Sequence, residues 1–214
     1  TFFIETPFVI VITIALLFLG YPDGSITKVD GGILWMFFLL FLFYLYRLTK
    51  RGDDSAIDDV PELDDNDRMW KLIVLIVLGI ICVVIGSQVT VDAASSIAQS
   101  FGVSDRIIGL TIVSIGTSLP ELVTSVSASL KGKNDIAIGN IIGSNIFNIL
   151  FVLGIAATIS PITFIFENII DILILTIFSL IVLYFGFTKH KIDRKEGIIM
   201  LLLYVAYLAY IIIR

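Results

Sequence analysis

The sequence predicts an all-α polytopic membrane protein of about seven transmembrane helices, the C-terminal part of a ten-helix inverted repeat. Three observations carry that reading. Of 214 residues 57% are hydrophobic and the mean hydropathy is +1.03, far above the range of water-soluble domains. Apolar runs of about 15–20 residues recur, each long enough to cross a hydrocarbon core of about 30 Å; they are continuous rather than alternating, which argues against a β-barrel. Finally, polar and glycine positions recur at one fixed offset along the chain.

The spans are placed at 3–20, 31–47, 70–91, 104–130, 135–158, 167–187 and 195–213. Pro7 lies inside the first, Gly20 to Asp23 end it, and Gly31 opens the second. Residues 51–68 carry Asp53, Asp54, Asp58, Asp59, Glu62, Asp64, Asp65 and Asp67, which makes them a solvated acidic loop. That loop lacks the glycine and terminal glutamate spacing of an EF-hand. Basic residues set the orientation. Arg47, Lys50, Arg51, Arg68, Lys71, Lys131, Lys133, Lys189, Lys191, Arg194 and Lys195 fall in alternate loops, while only Lys28, Arg106 and Arg214 fall on the other side. The rich side is cytoplasmic, so the C-terminus is expected outside a cell (inner) membrane. Cys82 is alone within an apolar run, so there is no disulfide framework. His190 reads as solvated, Trp35 and Trp70 as interfacial anchors, and Asp92 and Asp105 as local caps at span ends.

The offset is 166 positions. It relates Gly20 to Gly186, Asp30 to Glu196, Gly31 to Gly197, Tyr44 to Tyr210, Glu5 to Asp171 and Lys28 to Arg194. An odd number of spans separates equivalent points, so the copies run in opposite senses, a signature of secondary transporters. Residues 1–50 are then the last two helices of a truncated first repeat, 51–68 the cytoplasmic loop, and 69–214 a complete second five-helix repeat. The chain opens on Thr1, and about 95 further residues, three spans, are expected before it.

Two polar stripes interrupt the apolar runs. Ser114, Thr117, Ser118, Glu121, Thr124 and Ser125 share one helical face in GTSLPELVTS. Pro120 has no N–H to give the carbonyl of Gly116, so the helix should kink or unwind just before Glu121 and free carbonyls around Ser114 to Thr117. Such groups in lipid must line a cavity or bind something. In GNIIGSNIFN, Asn140, Ser144 and Asn148 form a second stripe, while Gly139 and Gly143 read as helix packing. Two antiparallel helices joined at Lys131 to Asp135 would face these stripes towards each other. Oxygens of carboxylate, amide, hydroxyl and backbone suit a hard cation such as Ca²⁺ or Na⁺, and no His or Cys is nearby for zinc or copper. An acid in a membrane span costs about 2.5–3.5 kcal/mol even on lenient scales, which marks Glu121 as functional.

GTSLPELVTSVSAS followed by GNIIGSNIFNILFVLG resembles the second α-repeat of the cation/Ca²⁺ exchanger superfamily, sodium/calcium exchanger type. The resemblance implies two inverted five-helix repeats and exchange of Ca²⁺ for Na⁺ by alternating access at a midplane site. It implies that Glu121 is the central carboxylate, with Thr117 and Ser118 beside it, the Ser114 carbonyl as a Na⁺ ligand, and Ser144 and Asn148 on the following helix. Some family members carry an aspartate where this chain has Asn148, which bears on stoichiometry and ion identity. The other half of the site would come from the first repeat, with its matching glutamate. Partners are then the bilayer, the transported cations and that repeat. No cofactor, no nucleic acid and no enzymatic reaction are expected, and no phosphate-binding glycine loop or hydrolytic triad supports coupling to nucleotide hydrolysis. Proton/Ca²⁺ exchange, a passive cation channel and a non-transporting scaffold are the rival readings.

Overall fold

The computed structural model describes residues 2–50, 69–189 and 192–214. The acidic loop at 51–68 and His190 lie outside the described residues. In chain order the helices are α1 (Phe2–Gly20), α2 (Lys28–Lys50), α3 (Met69–Ser100), α4 (Asp105–Ile108), α5 (Ser114–Thr117), α6 (Leu119–Leu130), α7 (Asn134–Ile146), α8 (Leu153–Ile159), α9 (Phe166–Lys189) and α10 (Arg194–Ile213). Two π-helical turns are inserted, Gly109–Val113 between α4 and α5 and Phe147–Val152 between α7 and α8. Among the described residues six segments are long and apolar enough to cross a membrane: Phe2–Gly20, Lys28–Leu48, Met69–Ser100, Asn134–Ile159, Phe166–Thr188 and Arg194–Ile213. The seventh expected span, 104–130, is a run of short pieces rather than one helix. This is an all-α membrane protein.

The chain divides into two compact units. The first contains α1, α2, the later part of α7, the second π turn, α8, α9 and the start of α10. Its core gathers Val9, Ile12 and Leu16 of α1, Leu34 of α2, Ile142 and Ile146 of α7, Leu150 of the π turn and Ala157 of α8. α1 packs on α9 and α2 on α8. Glycines set how closely. A methyl at Gly31 would stand 2.7 Å from the Gly154 carbonyl oxygen and from the Thr158 amide nitrogen, so α2 and α8 touch backbone to backbone. A methyl at Gly186 would strike the Phe2 ring, and one at Gly20 the Phe164 ring.

Two short strands, β1 (Ser25–Ile26) and β2 (Ile162–Thr163), pair antiparallel and tie the α1–α2 and α8–α9 connections together. α2 then opens on a reciprocal capping box: the Thr27 amide donates to Asp30 Oδ2 at 2.8 Å, and the Asp30 amide donates to Thr27 Oγ1 at 3.3 Å. α10 opens on the same device, with the Asp193 amide donating to Glu196 Oε2 at 2.8 Å and the Glu196 amide to Asp193 Oδ1 at 3.0 Å. Thr27 and Asp193, like Asp30 and Glu196, stand 166 positions apart.

The second unit contains α3, α4, the first π turn, α5, α6, the start of α7 and the end of α10. α3 runs on to Ser100, well past the expected end at 91, because its polar tail still satisfies helical geometry. Ser96 Oγ donates back to the Asp92 carbonyl at 2.8 Å, and the helix stops only at Gly102 (φ +77°), where the Gly102 and Val103 amides donate to the carbonyls of Gln99 and Ala98. Asp92 is therefore an interior residue of α3, not a cap. α6 ends the same way at Gly132 (φ +75°), with Lys133 donating to Ala128 at 2.9 Å.

Candidate functional site

The broken segment is built around Ser118. Its backbone (φ −92°, ψ 1°) lies between helical and extended geometry, in the bridge region. It separates α5 from α6. Pro120 sits in the first turn of α6, where a missing N–H removes no helical bond, so the residue that breaks one helix starts the next. Glu121 follows within that first turn, where the helix dipole favours a negative charge. The side chain is half-buried, and its Oε2 atom is sealed from solvent. Gly116 makes the break possible at close quarters: it is buried, and a methyl there would overlap Val91 of α3.

The carbonyls at this break are not bare, as the sequence suggested they would be. Thr117 Oγ1 donates to the Ser114 carbonyl at 3.0 Å, and the Ser118 amide donates to the Ile115 carbonyl at 3.1 Å. A tightened turn supplies local donors as soon as the α-helical register lapses. The Ser114 oxygen has a second lone pair, so it remains a competent ligand. Ser114, Thr117 and Ser118 are exposed and stand at the break just before Glu121. The rest of the expected stripe divides. Thr124 is exposed and bonds back to the Pro120 carbonyl at 2.8 Å, whereas Ser125 is buried and reaches the Ala137 carbonyl of α7 at 3.4 Å.

The second set lies on α7 and the π turn after it. Ser144 Oγ and Asn145 Nδ2 both donate to the Ile141 carbonyl, at 3.0 and 2.8 Å. Asn148 falls inside the π turn, where the Leu153 amide donates to its carbonyl, a five-residue step. Asn148 is thus set in a π turn, whereas Asn140 and Ser144 lie in the regular α-helix before it. Its side chain is exposed, while Ile149 and Leu150 beside it are buried. Among the described residues Gly139 and Gly143 do not pack as expected, since a methyl at either would meet none of them within 4 Å. The two sets fall in different units. Among the described residues no three His, Cys, Asp or Glu side chains form a group able to hold a metal ion.

Sequence reasoning missed what stands behind Asn148. Trp35, read as an interfacial anchor, packs within the first unit. Its ring centroid lies 5.5 Å from that of Phe151 and 6.4 Å from that of Phe38, and its Nε1 is buried without a hydrogen-bond partner among the described residues. Phe38 also meets Phe147 and Phe151, at 5.9 and 5.1 Å, and those two stack on each other at 4.6 Å. The only hint in the sequence was the i, i+4 spacing of Phe147 and Phe151 on either side of Asn148.

Residues 71–213 match the family model described as sodium/calcium exchanger protein. The chain belongs to the sodium/calcium exchanger family. It is 38% identical over 219 residues to a protein named as an antiporter, CaxA of Alkalimonas amylolytica, an alignment covering 95% of this chain and 66% of that protein. It is 36% identical over 144 residues to the inner membrane protein YrbG of Escherichia coli, covering 65% of this chain and 44% of that one. Among solved structures it resembles the sodium-calcium exchanger NCX_Mj soaked with Na⁺ and Ca²⁺, with a TM-score of 0.76 and 30% identity over 97% of this chain and 64% of that one. This exchanger chain therefore spans less than two thirds of the length of the relatives it matches.

Proposed function

We propose that the protein containing this chain is a secondary antiporter that exchanges Ca²⁺ for Na⁺ by alternating access, with Glu121 and Asn148 among the residues that this repeat contributes to the ion site. The observation that carries the reading is the interruption at Ser118, which sets a carboxylate with a buried oxygen one turn beyond an exposed cluster of hydroxyls. Family membership supplies the reaction class.

The chemistry follows from the donor types. Glu121 supplies a full negative charge, Thr117, Ser118 and Ser144 hydroxyl oxygens, Ser114 a carbonyl, and Asn148 an amide oxygen. Ca²⁺ takes six to eight oxygens, so this half-set needs completion, and in this reading the inverted first repeat supplies it with a second glutamate. Two carboxylates can be balanced by one Ca²⁺ or by several Na⁺ but not by both, and that competition couples the two fluxes. Asn148, being neutral, leaves the balance to the glutamates. The matching capping boxes at the starts of α2 and α10 support the inverted repeat, with 1–50 closing the first and 69–214 forming the second. The basic loops support a C-terminus outside, in an inner membrane.

The test is reconstitution of the full-length protein in liposomes with an outward Na⁺ gradient, measuring radioactive Ca²⁺ uptake beside Glu121→Gln. Uptake that requires internal Na⁺ and is lost in the variant is expected. Uptake driven by a pH gradient instead would replace Na⁺ by H⁺ as the counter-ion. Uptake indifferent to every gradient of counter-ion would sink antiport in favour of a channel.

A further inference from the structure

The π turn that carries Asn148 is packed against an aromatic cluster. The π-helix is rare and occurs mostly as single turns inserted in α-helices, frequently at functional sites. Here the inner side of the turn is sealed by Leu150, which is fully buried, and by Ile149. The flank is an aromatic wall: Phe147 and Phe151 stack on each other within the turn and are met from α2 by Phe38 and, at Phe151, by Trp35. Trp35 is itself lodged by glycine. A methyl at Gly154, one residue into α8, would stand 3.2 Å from the indole Cδ1, 3.3 Å from the Gly31 carbonyl oxygen and 3.3 Å from Leu34 Cβ. The indole is thus fitted between the turn and the α2–α8 crossing, with its N–H buried and without a partner among the described residues.

We propose that Trp35 is a positioning residue for ion binding: wedged against Phe151 and Gly154, it holds the π geometry that fixes the angle at which Asn148 presents its amide. The inference rests on Asn148 being a cation ligand. Trp35 makes no ion contact of its own. It acts as outer-shell partners of metal ligands do, and loss of such a partner lowers metal affinity by about 10–100-fold.

The experiment uses the full-length protein in liposomes and reads the half-saturating Ca²⁺ separately from the maximal rate. Trp35→Ala is expected to raise half-saturation about 10-fold or more, with Trp35→Phe recovering most of it by restoring a ring against Phe151. Gly154→Ala should shift half-saturation in the same direction by displacing the indole. Leu34→Ala, which opens the neighbouring core, should lower the amount of folded protein and the maximal rate without moving half-saturation. If Trp35→Ala behaves as Leu34→Ala does, the residue is filling alone and the proposal is overturned. A separate arm does not depend on exchange. With Trp70 and any tryptophan outside this chain replaced by Phe, Trp35 is the sole reporter, and its emission should respond to Ca²⁺ and to Na⁺ with Asn148 intact and lose that response in Asn148→Ala. Should the protein bind cations without exchanging them, this signal would remain; a silent Trp35 would overturn the inference whatever the transport result.

Discussion

Gly116→Ala is the sharpest probe of the break before Glu121. The methyl would overlap Val91 Cγ2 and lie 3.2 Å from Val91 Cβ. Valine in a helix is nearly confined to one rotamer, so the clash is not relieved by turning the side chain. Overpacking of this kind costs about 1–3 kcal/mol. Against it, alanine is favoured over glycine inside a helix by about 1 kcal/mol. The single variant should therefore be destabilised by about 0–2 kcal/mol, a range too broad to decide anything. The sign in a second background decides it. In Val91→Ala the offending methyl is gone, the remaining Cβ contact needs a shift of only tenths of an ångström, and Gly116→Ala should become neutral or stabilising by up to about 1 kcal/mol. The coupling energy across the cycle is then about 1–3 kcal/mol. Denaturant unfolding of the four proteins in detergent micelles measures it. An equal effect of Gly116→Ala in both backgrounds would mean that α3 does not press on the break at this point, and the argument from Gly116 would fall.

Other outcomes follow from the same contacts. Gly31→Ala should cost about 1–3 kcal/mol in the same unfolding assay, and Thr158→Ala should rescue little of it, because the Gly154 carbonyl and the Thr158 amide remain in the way. Thr27→Ala and Asp193→Ala each remove one side of a capping box and should each lower stability by about 1 kcal/mol; a large difference between them would mean that the two helix starts are not equivalent. Gly102→Ala forces a side chain into left-handed backbone at the end of α3, at about 1–2 kcal/mol, visible as a lowered melting temperature. Glu121→Gln should abolish Na⁺-driven Ca²⁺ uptake while leaving the yield of folded protein near wild type, since the exchange removes a charge and keeps the shape.

The sequence carried most of the architecture because lipid leaves a chain few options. Runs of apolar residues long enough to span must be helical, since every backbone polar group needs an internal partner. The break was equally legible, because a proline beside a glutamate inside such a run has few other meanings. The offset of 166 positions pointed to Asp30 and Glu196 before either was seen to cap a helix. Some readings needed contacts to correct them. α3 outran its apolar stretch because serines can bond back to their own helix. The contact of Trp35 with Gly154 escaped notice because the two are more than a hundred positions apart in the chain. Gly139 and Gly143 have packing spacing but no neighbour within 4 Å of an added methyl among the described residues.

Residue types and their spacing thus determined by themselves which segments are long and apolar enough to cross a membrane, where the chain is interrupted, and which oxygens the candidate site offers. Tertiary structure alone decided the angles. Whether Asn148 stands in an α-helical or a π turn depends on one extra residue per turn, and no pattern of hydropathy records that. It is fixed by Leu150 sealed beneath the turn and by Trp35, Phe38 and Phe151 packed beside it, contacts made between segments distant in sequence, where close packing rather than periodicity chooses between helical geometries.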